Sequence, residues 1–166
     1  MKKIRLFAAI LTAALFFVSC ATSKEARTYR RQIDGKWQLQ TVVTEGITLA
    51  SQTKALLLNE ADLRCFVGSS WNFNDNNSLG SYNIAQNAGE CVAVKRDFRW
   101  SIYEAEGQPK LFQFKKVDAK YKPIEEGNAG YRFTILQLDK NSMKLKSDVT
   151  FEGKQASFIY NFVRTN

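Results

Sequence analysis

The stretch SWNFNDNNSLGSYNI, residues 70–84, decides the fold class. Trp71 and Phe73 alternate with polar residues, and Tyr82 and Ile84 repeat this spacing of two after the polar residues 75–78. A period of two predicts a strand with one buried face, and a run of Asp, Asn and Ser between two such stretches predicts a turn. The stretch therefore predicts two consecutive strands joined by a short turn.

Further strands follow outward in both directions, most with the same alternation, and the last is apolar on both faces. Strands are predicted at residues 37–43, 70–74, 79–84, 92–103, 111–115, 131–138, 143–149 and 155–164. Nearly every glycine and both prolines fall between these strands or at their ends, as strand interiors require. Eight consecutive strands predict an all-β domain, an eight-stranded antiparallel up-and-down barrel, because closure removes exposed edges. A two-layer sandwich is the alternative architecture.

Two segments depart from the strand pattern. Residues 51–63 are predicted to form the one short helix of the domain, with Ser51 as its N-cap and a stripe of apolar residues along one face. Residues 20–33 are polar and are predicted to be a tether, with a short helical end near Tyr29. The folded domain is accordingly predicted to cover residues 34–166.

Composition limits the chemistry. The chain has 166 residues, of which 45% are hydrophobic and 24% charged, and this suits one globular domain. It contains no histidine, which excludes Ser-His-Asp and Cys-His triads and histidine-based zinc sites. The paired carboxylates Glu104/Glu106 and Glu125/Glu126 fall in predicted loops, where such groups are usually solvated. We expect neither an enzyme nor a bound metal or cofactor.

The N-terminus is predicted to be a cleaved export signal covering residues 1–19. Three early basic residues precede an apolar run at residues 6–18, which as a helix reaches only about 20 Å and is too short to span a bilayer core of about 30 Å. Residues 17–20, FVSC, resemble the lipobox of bacterial lipoproteins, in which the cysteine is lipidated. The resemblance implies a membrane anchor at Cys20 and an outer-membrane lipoprotein facing the periplasm or the cell surface. A conventional signal peptide cut nearby is the alternative.

Charge and cysteine content fit an exported protein. Without residues 1–19 the chain keeps 21 Lys and Arg against 16 Asp and Glu, a net charge of +5 spread along the sequence. This predicts no nucleic-acid binding and at most weak attraction to anionic lipid headgroups. With Cys20 acylated, Cys65 and Cys91 remain as one pair, which an oxidising compartment favours as a disulfide. Two free buried thiols are the alternative.

Several motifs resemble those of lipocalin-like domains in bacterial lipoproteins. Gly35-Lys36-Trp37 is similar to the lipocalin G-x-W motif, and Arg164 stands where that family often places a basic residue over the tryptophan. The spacing of Cys65, WNFND at 71–75, GSY at 80–82, Cys91 and Trp100 is also similar to such domains. The resemblance covers about residues 33–165. It implies that Gly35, Trp37 and Arg164 close one end of the barrel, with Arg164 stacked on the indole.

The function depends on what fills the barrel, because eight strands enclose either packed side chains or one small ligand. The candidate ligand-lining residues are the aromatic side chains of the strands: Trp71, Phe73, Tyr82, Phe98, Trp100, Phe112, Phe114, Phe133, Phe158 and Tyr160. An open lumen predicts a module that binds a small hydrophobic molecule in the cell envelope. A filled lumen predicts a structural lipoprotein that docks another envelope protein through an exposed apolar patch.

Overall fold

The computed structural model describes residues 23–48, 54–85, 91–151 and 153–166. The predicted signal peptide and the predicted lipidation site at Cys20 lie outside the described residues. Among the helices that are described, none is long and apolar enough to cross a membrane.

The chain forms a closed antiparallel barrel of eight strands, which confirms the predicted fold class. The elements are α1 (Lys24–Ile33), β1 (Gly35–Glu45), β2 (Leu56–Leu57), β3 (Ala61–Asp62), α2 (Leu63–Phe66), β4 (Ser70–Asn74), β5 (Leu79–Ile84), β6 (Val94–Tyr103), β7 (Leu111–Val117), β8 (Tyr131–Leu138), β9 (Ser142–Phe151) and β10 (Lys154–Thr165). The barrel order is β1-β10-β9-β8-β7-β6-β5-β4, and β1 closes it by pairing with β4. Strands β2 and β3 form a separate hairpin.

Alternation along each strand builds the core. In β4, Trp71 and Phe73 are buried while the residues between and beside them are exposed. Across the closing pair of strands, Trp71 lies opposite Trp37 of β1. Because successive side chains of a strand point to opposite faces, a period of two fills the inside with aromatic residues and leaves polar residues outside. The sandwich alternative is therefore excluded by the closed strand order.

The prediction of a helix at residues 51–63 is wrong for its described part. Residues 54–62 contain the β2–β3 hairpin instead, and a four-residue helix, α2, follows it. Leu58 and Asn59 make the turn with positive φ angles of 54° and 51°. The apolar residues 56–58 do not form one buried face of a helix, because Leu57 is buried while its neighbour Leu56 is 64% exposed. The predicted N-cap Ser51 lies outside the described residues.

Most of the predicted tether is a helix packed on the barrel. The Ser23 hydroxyl caps α1 by accepting a hydrogen bond of 2.9 Å from the backbone N–H of Ala26. Ala26 and Ile33 are buried, so α1 belongs to the folded domain rather than to a spacer. An ion pair of 2.6 Å between Arg30 and Asp75, in the β4–β5 turn, holds the helix across this end of the barrel.

Pairing between β8 and β9 is incomplete. These strands are joined only between residues 134 and 138 of β8, with an irregularity between Ile135 and Gln137. The last residues of β9, 147–151, pair with β10. The barrel wall therefore separates near the beginning of β8, at the end of the barrel opposite to α1.

Candidate functional site

The end of the barrel covered by α1, here called the closed end, is built around Trp37. Its side chain is fully buried, and the indole Nε1–H donates a 2.7 Å hydrogen bond to the carbonyl of Ile33, the last residue of α1. The guanidinium carbon of Arg164 lies 4.2 Å from the centroid of the Trp37 ring. This is the stacked arrangement that the motif resemblance implied.

Arg164 also joins three chain segments at the closed end. Its guanidinium donates to the carbonyls of Gln32, Asp34 and Lys140 at 2.5, 2.6 and 2.6 Å. Gly35 has a φ of +110°, and a Cβ atom there would lie 2.6 Å from Nη1 of Arg164. Only glycine allows this backbone angle together with so close an approach. The three predicted closure residues therefore meet, and their role here is structural.

The interior of the barrel is filled. All ten predicted ligand-lining aromatic residues point inward and are at most 4% exposed. Nine of them make ring contacts with one another, with centroid separations between 4.8 and 6.3 Å. The space left among them is a cavity of about 10 Å³. A water molecule needs about 10–15 Å³ measured in this way, so the deep lumen has no room for a ligand in this conformation.

The opposite end, here called the mouth, is covered by the β2–β3 hairpin. Leu57 is 2% exposed, and Leu58 borders the same small cavity as Phe114 and Phe133, so the hairpin tip enters the lumen. The carbonyl of Leu58 accepts hydrogen bonds from Nζ of Lys116 at 2.9 Å and from the Tyr131 hydroxyl at 2.7 Å. These two donors hold a turn whose residue Leu58 has an unfavourable left-handed backbone angle.

A cluster of charged groups beneath the hairpin centres on Glu60. Its carboxylate accepts hydrogen bonds from Arg96 at 2.8 and 2.9 Å, from Tyr82 at 3.1 Å and from Lys116 at 3.2 Å. Burial alone would raise the pKa of the Glu60 carboxyl, but these donors outweigh it and hold the pKa below its ordinary value. Glu60 therefore stays ionised and ties the hairpin to β5, β6 and β7.

Lys116 connects this cluster to the loop before β8. Its Nζ lies 2.7 Å from the carboxylate of Glu125, and its side chain is only 4% exposed. The Tyr131 hydroxyl lies 2.6 Å from the same carboxylate, so its single proton is shared between Glu125 and the Leu58 carbonyl. The hydrogen bond from Lys116, reinforced by that from Tyr131, lowers the pKa of Glu125. A buried lysine with two carboxylate partners is electrostatically satisfied.

Sequence reasoning missed the mouth cluster. Lys116 is not among the predicted site residues, Glu125 is expected in a solvated loop, and Glu60 falls within the wrongly predicted helix. One signal was present, because Lys116 continues the spacing of two that runs through Phe112 and Phe114 and therefore points inward. The predicted disulfide between Cys65 and Cys91 is confirmed, with Cα atoms 5.5 Å apart, and it joins α2 to the segment before β6 at the mouth.

A groove of about 1230 Å³ opens to solvent and extends along the barrel wall from Ser78 in the β4–β5 turn to the mouth, where β8 and β9 separate. It is lined by outward-facing polar residues of β6–β8 and by the inward-facing Phe133, Phe158 and Tyr160. Because side chains from both faces of the wall line it, the groove is an open cleft that reaches the edge of the aromatic interior. Ser147 and Tyr160 share a hydrogen bond of 3.2 Å there, and burial raises the pKa of Tyr160 to about 12. The Tyr160 hydroxyl is therefore a neutral polar group beside an apolar wall.

The comparison with protein families agrees with this architecture. Residues 33–145 match the family model of the lipocalin-like domain. No match was found among curated proteins. Among solved structures, a lipocalin-like protein from Bacteroides uniformis is similar, with 15% sequence identity, a TM-score of 0.46, and coverage of 81% of this chain and 99% of that one. Because the family model matches most of its length, the chain belongs to the lipocalin-like domain family.

Proposed function

We propose that this protein is an envelope lipoprotein, anchored through Cys20 and residing in the outer membrane, that binds a small hydrophobic molecule at the mouth of its barrel. The observation that carries the proposal is the cleft at the β8–β9 separation, whose lining includes the inward-facing aromatic residues Phe133, Phe158 and Tyr160. Ligand sites are typically apolar concavities with a few polar groups, and the Ser147–Tyr160 pair supplies such groups.

The proposed site lies at the edge of the barrel rather than in its centre. Since the deep cavity measures about 10 Å³, a ligand must occupy the cleft or displace the tip of the β2–β3 hairpin. The hairpin buries the side chains of Leu57 and Leu58 in the core, and a hydrophobic ligand can replace their contacts. The polar contacts of the Leu58 carbonyl and of Glu60 then set the free energy needed to move the hairpin.

We propose a non-catalytic role for the charged cluster. General acid–base catalysis requires a group whose pKa lies near the working pH. The pKa values of Glu60 and Glu125 are instead lowered, in each case with the help of hydrogen bonds from cationic or hydroxyl donors. Both carboxylates therefore serve to fasten the hairpin and the loop before β8.

Native mass spectrometry of the acylated protein, extracted from membranes in detergent, tests ligand binding. We expect an additional non-covalent mass of a few hundred daltons on the acylated chain that organic solvent removes. Val149→Trp places a large side chain in the cleft and should abolish this mass. Val43→Trp makes the same change at an exposed position of β1 and should preserve it. A bare acylated chain from the wild type under gentle conditions would refute the proposal.

A filled barrel that docks another envelope protein is the second candidate. The observation that favours it is a set of exposed apolar side chains beside the disulfide, since Val92 next to Cys91 is 75% exposed and Val67 lies two residues after Cys65. Crosslinking in intact cells from a photoreactive group at Val92, compared with one at Val43, distinguishes this role. A specific protein adduct at Val92 alone, with no bound small molecule, would favour docking.

A further inference from the structure

Helix α1 has two chemically different faces. Ala26, Arg30 and Ile33 lie on the face directed at the barrel, where Ala26 and Ile33 are buried and Arg30 bonds to Asp75 and Ser78 of the β4–β5 turn. Lys24, Arg27 and Arg31 occupy the exposed face at spacings of three and four residues. Such spacing aligns side chains along one side of a helix. We call these three residues the basic stripe.

The described part of the protein does not neutralise the charge of the basic stripe. Within the described part of the chain its three side chains form no ion pair, and Arg27 makes one long contact, 3.5 Å, to the carbonyl of Ser23. The neighbouring acid Glu25 is paired with Lys110 at 3.1 Å. The stripe therefore presents three cations to whatever lies against α1.

Most other carboxylates at the closed end are hydrogen-bonded within the described part of the protein, whereas Glu106 in the β6–β7 turn is exposed. Asp75 pairs with Arg30, and Asp34 accepts a 2.7 Å hydrogen bond from the backbone N–H of Asp75. Asp139 accepts hydrogen bonds from Ser142 and Gln137 in its own turn. Lys140, in that same turn, is exposed and adds a further cation to this end. The exposed face of α1 therefore carries more positive than negative charge, and the other acidic groups of this end lie in the neighbouring turns.

The position of Cys20 places this surface near the proposed anchor. Three residues separate Cys20 from Lys24, the first residue of α1, so even an extended chain puts α1 within about 14 Å of the acylated cysteine. The mouth lies at the other end of the barrel. The twelve residues of β10, tilted as barrel strands are, carry it roughly 30 Å further away.

We infer that the basic stripe is a membrane-facing surface that binds anionic lipid headgroups, so that the closed end rests on the membrane and the mouth points away from it. This inference rests on the proposed anchor at Cys20. Near an anionic membrane each Lys or Arg strengthens binding about fivefold. The acylated residue attaches the protein to the membrane, and the three aligned cations hold α1 against the lipid headgroups, which fixes the direction of the barrel. The orientation leaves the proposed cleft accessible to molecules that do not come directly from the supporting membrane.

Energy transfer from the acylated full-length protein to acceptor lipids in vesicles tests the inference. A fluorescent maleimide is placed at the closed end by Asn141→Cys or at the mouth by Ala119→Cys, both at exposed positions. We expect stronger transfer from the closed-end label, and a larger difference in vesicles that contain phosphatidylglycerol than in vesicles of phosphatidylcholine alone. High salt should remove that increase, because it screens exposed charges.

A matched pair of triple variants isolates the stripe. Changing Lys24, Arg27 and Arg31 to Gln should reduce the preference for phosphatidylglycerol vesicles on the order of a hundredfold and abolish the lipid-dependent increase in transfer. The control changes three exposed lysines near the mouth, 95, 120 and 122, to Gln, with the same loss of charge, and should leave both unchanged. Because all six side chains are exposed, the thermal midpoint verifies that each variant is folded.

The outcomes separate the inference from its premise. Acylation and vesicle attachment are scored first, and a chain that carries no acyl group at Cys20 and does not attach would overturn the anchor and this inference together. An attached protein with equal transfer from both labels would overturn the orientation alone. Retention of the phosphatidylglycerol preference in the stripe variant, or its loss in the control, would show that the stripe is not the lipid-binding surface.

Discussion

Arg164→Ala should be among the most destabilising substitutions of a partly exposed residue in this protein. The guanidinium stacks 4.2 Å from the Trp37 ring and donates to three carbonyls, which belong to the end of α1, the beginning of β1 and the β8–β9 turn. The substitution removes all four interactions at once. It also disconnects α1 from the last strand, so the cost falls on the closure of the barrel rather than on one local contact.

The expected magnitude follows from the contacts. A cation–π contact at this distance contributes about 1 kcal/mol at a partly exposed site. Each hydrogen bond to a carbonyl contributes about 1 kcal/mol, because water can reach the released carbonyls and compensate part of the loss. The total is about 3–4 kcal/mol, a large part of the roughly 5–15 kcal/mol of free energy of unfolding that is typical of a domain. It corresponds to a fall of roughly 10 °C in the thermal midpoint.

Urea unfolding followed by far-ultraviolet circular dichroism, with the disulfide intact, measures the loss. Arg164→Lys keeps the charge but not the planar set of donors, and should recover less than half of the free energy. A double-mutant cycle with Trp37→Phe should give a coupling energy of about 1 kcal/mol. Lys36→Ala, at an exposed cation of the same end, serves as the control and should change stability by no more than about 0.5 kcal/mol. An Arg164→Ala protein as stable as this control would refute the reasoning.

Three further predictions concern the disulfide, the mouth and the closing glycine. Replacing Cys65 and Cys91 together by Ala should lower the free energy of unfolding by about 3.5 kcal/mol, since the bond closes a long loop in the unfolded chain, and an unchanged urea midpoint would contradict this. The pKa of Glu125 is lowered in the folded state, so its ionised carboxylate stabilises the fold above the unfolded pKa of about 4.3, and this stabilisation is lost as the pH falls through the folded pKa. Glu125→Gln should therefore be less stable than the wild type at pH 7. A difference in the free energy of unfolding of the same size at pH 3 would count against this prediction. Gly35→Ala should destabilise by about 2 kcal/mol or more, because the methyl group meets the guanidinium of Arg164 and the φ of +110° is unfavourable for alanine, and a thermal midpoint equal to the wild type would disprove this strain.

The barrel could be predicted from the sequence because its information is local. Alternation like that around Trp71 and Phe73 repeats in most wall strands, with β10 apolar on both faces, and turn residues bound each strand, so strand number and order follow from the pattern. The contents of the lumen could not be predicted in the same way. Alternation indicates that Phe98, Trp100 and the other aromatic residues face the lumen. Whether their side chains fill it depends on the barrel radius and on the rotamers, and no periodic pattern in the sequence encodes either of these.

The mouth was missed because its contacts are long-range and polar. Glu60 and Arg96 are separated by 36 residues, and Tyr131 reaches the Leu58 carbonyl across 73 residues. The residue type alone does not show whether a glutamate is exposed or buried. For Lys116, only its position in the alternation of β7 distinguishes it from an ordinary exposed lysine. Helix α1 was underestimated for a related reason, since its stability comes from packing Ala26 and Ile33 on the barrel rather than from a strong helical pattern.

The two ends of the barrel are held by different kinds of interaction, and this difference determines which end can admit a ligand. At the closed end, Trp37 is part of the continuous aromatic core, so opening it would leave a cavity, which is costly. At the mouth, the hairpin contributes mainly Leu57 and Leu58 to the core and is otherwise fastened by the carboxylate of Glu60 and the donors on the Leu58 carbonyl. Those polar groups can bind water when the hairpin moves, and a hydrophobic ligand can occupy the space that the leucines leave. The balance of these costs favours opening at the mouth over opening at the end that faces α1.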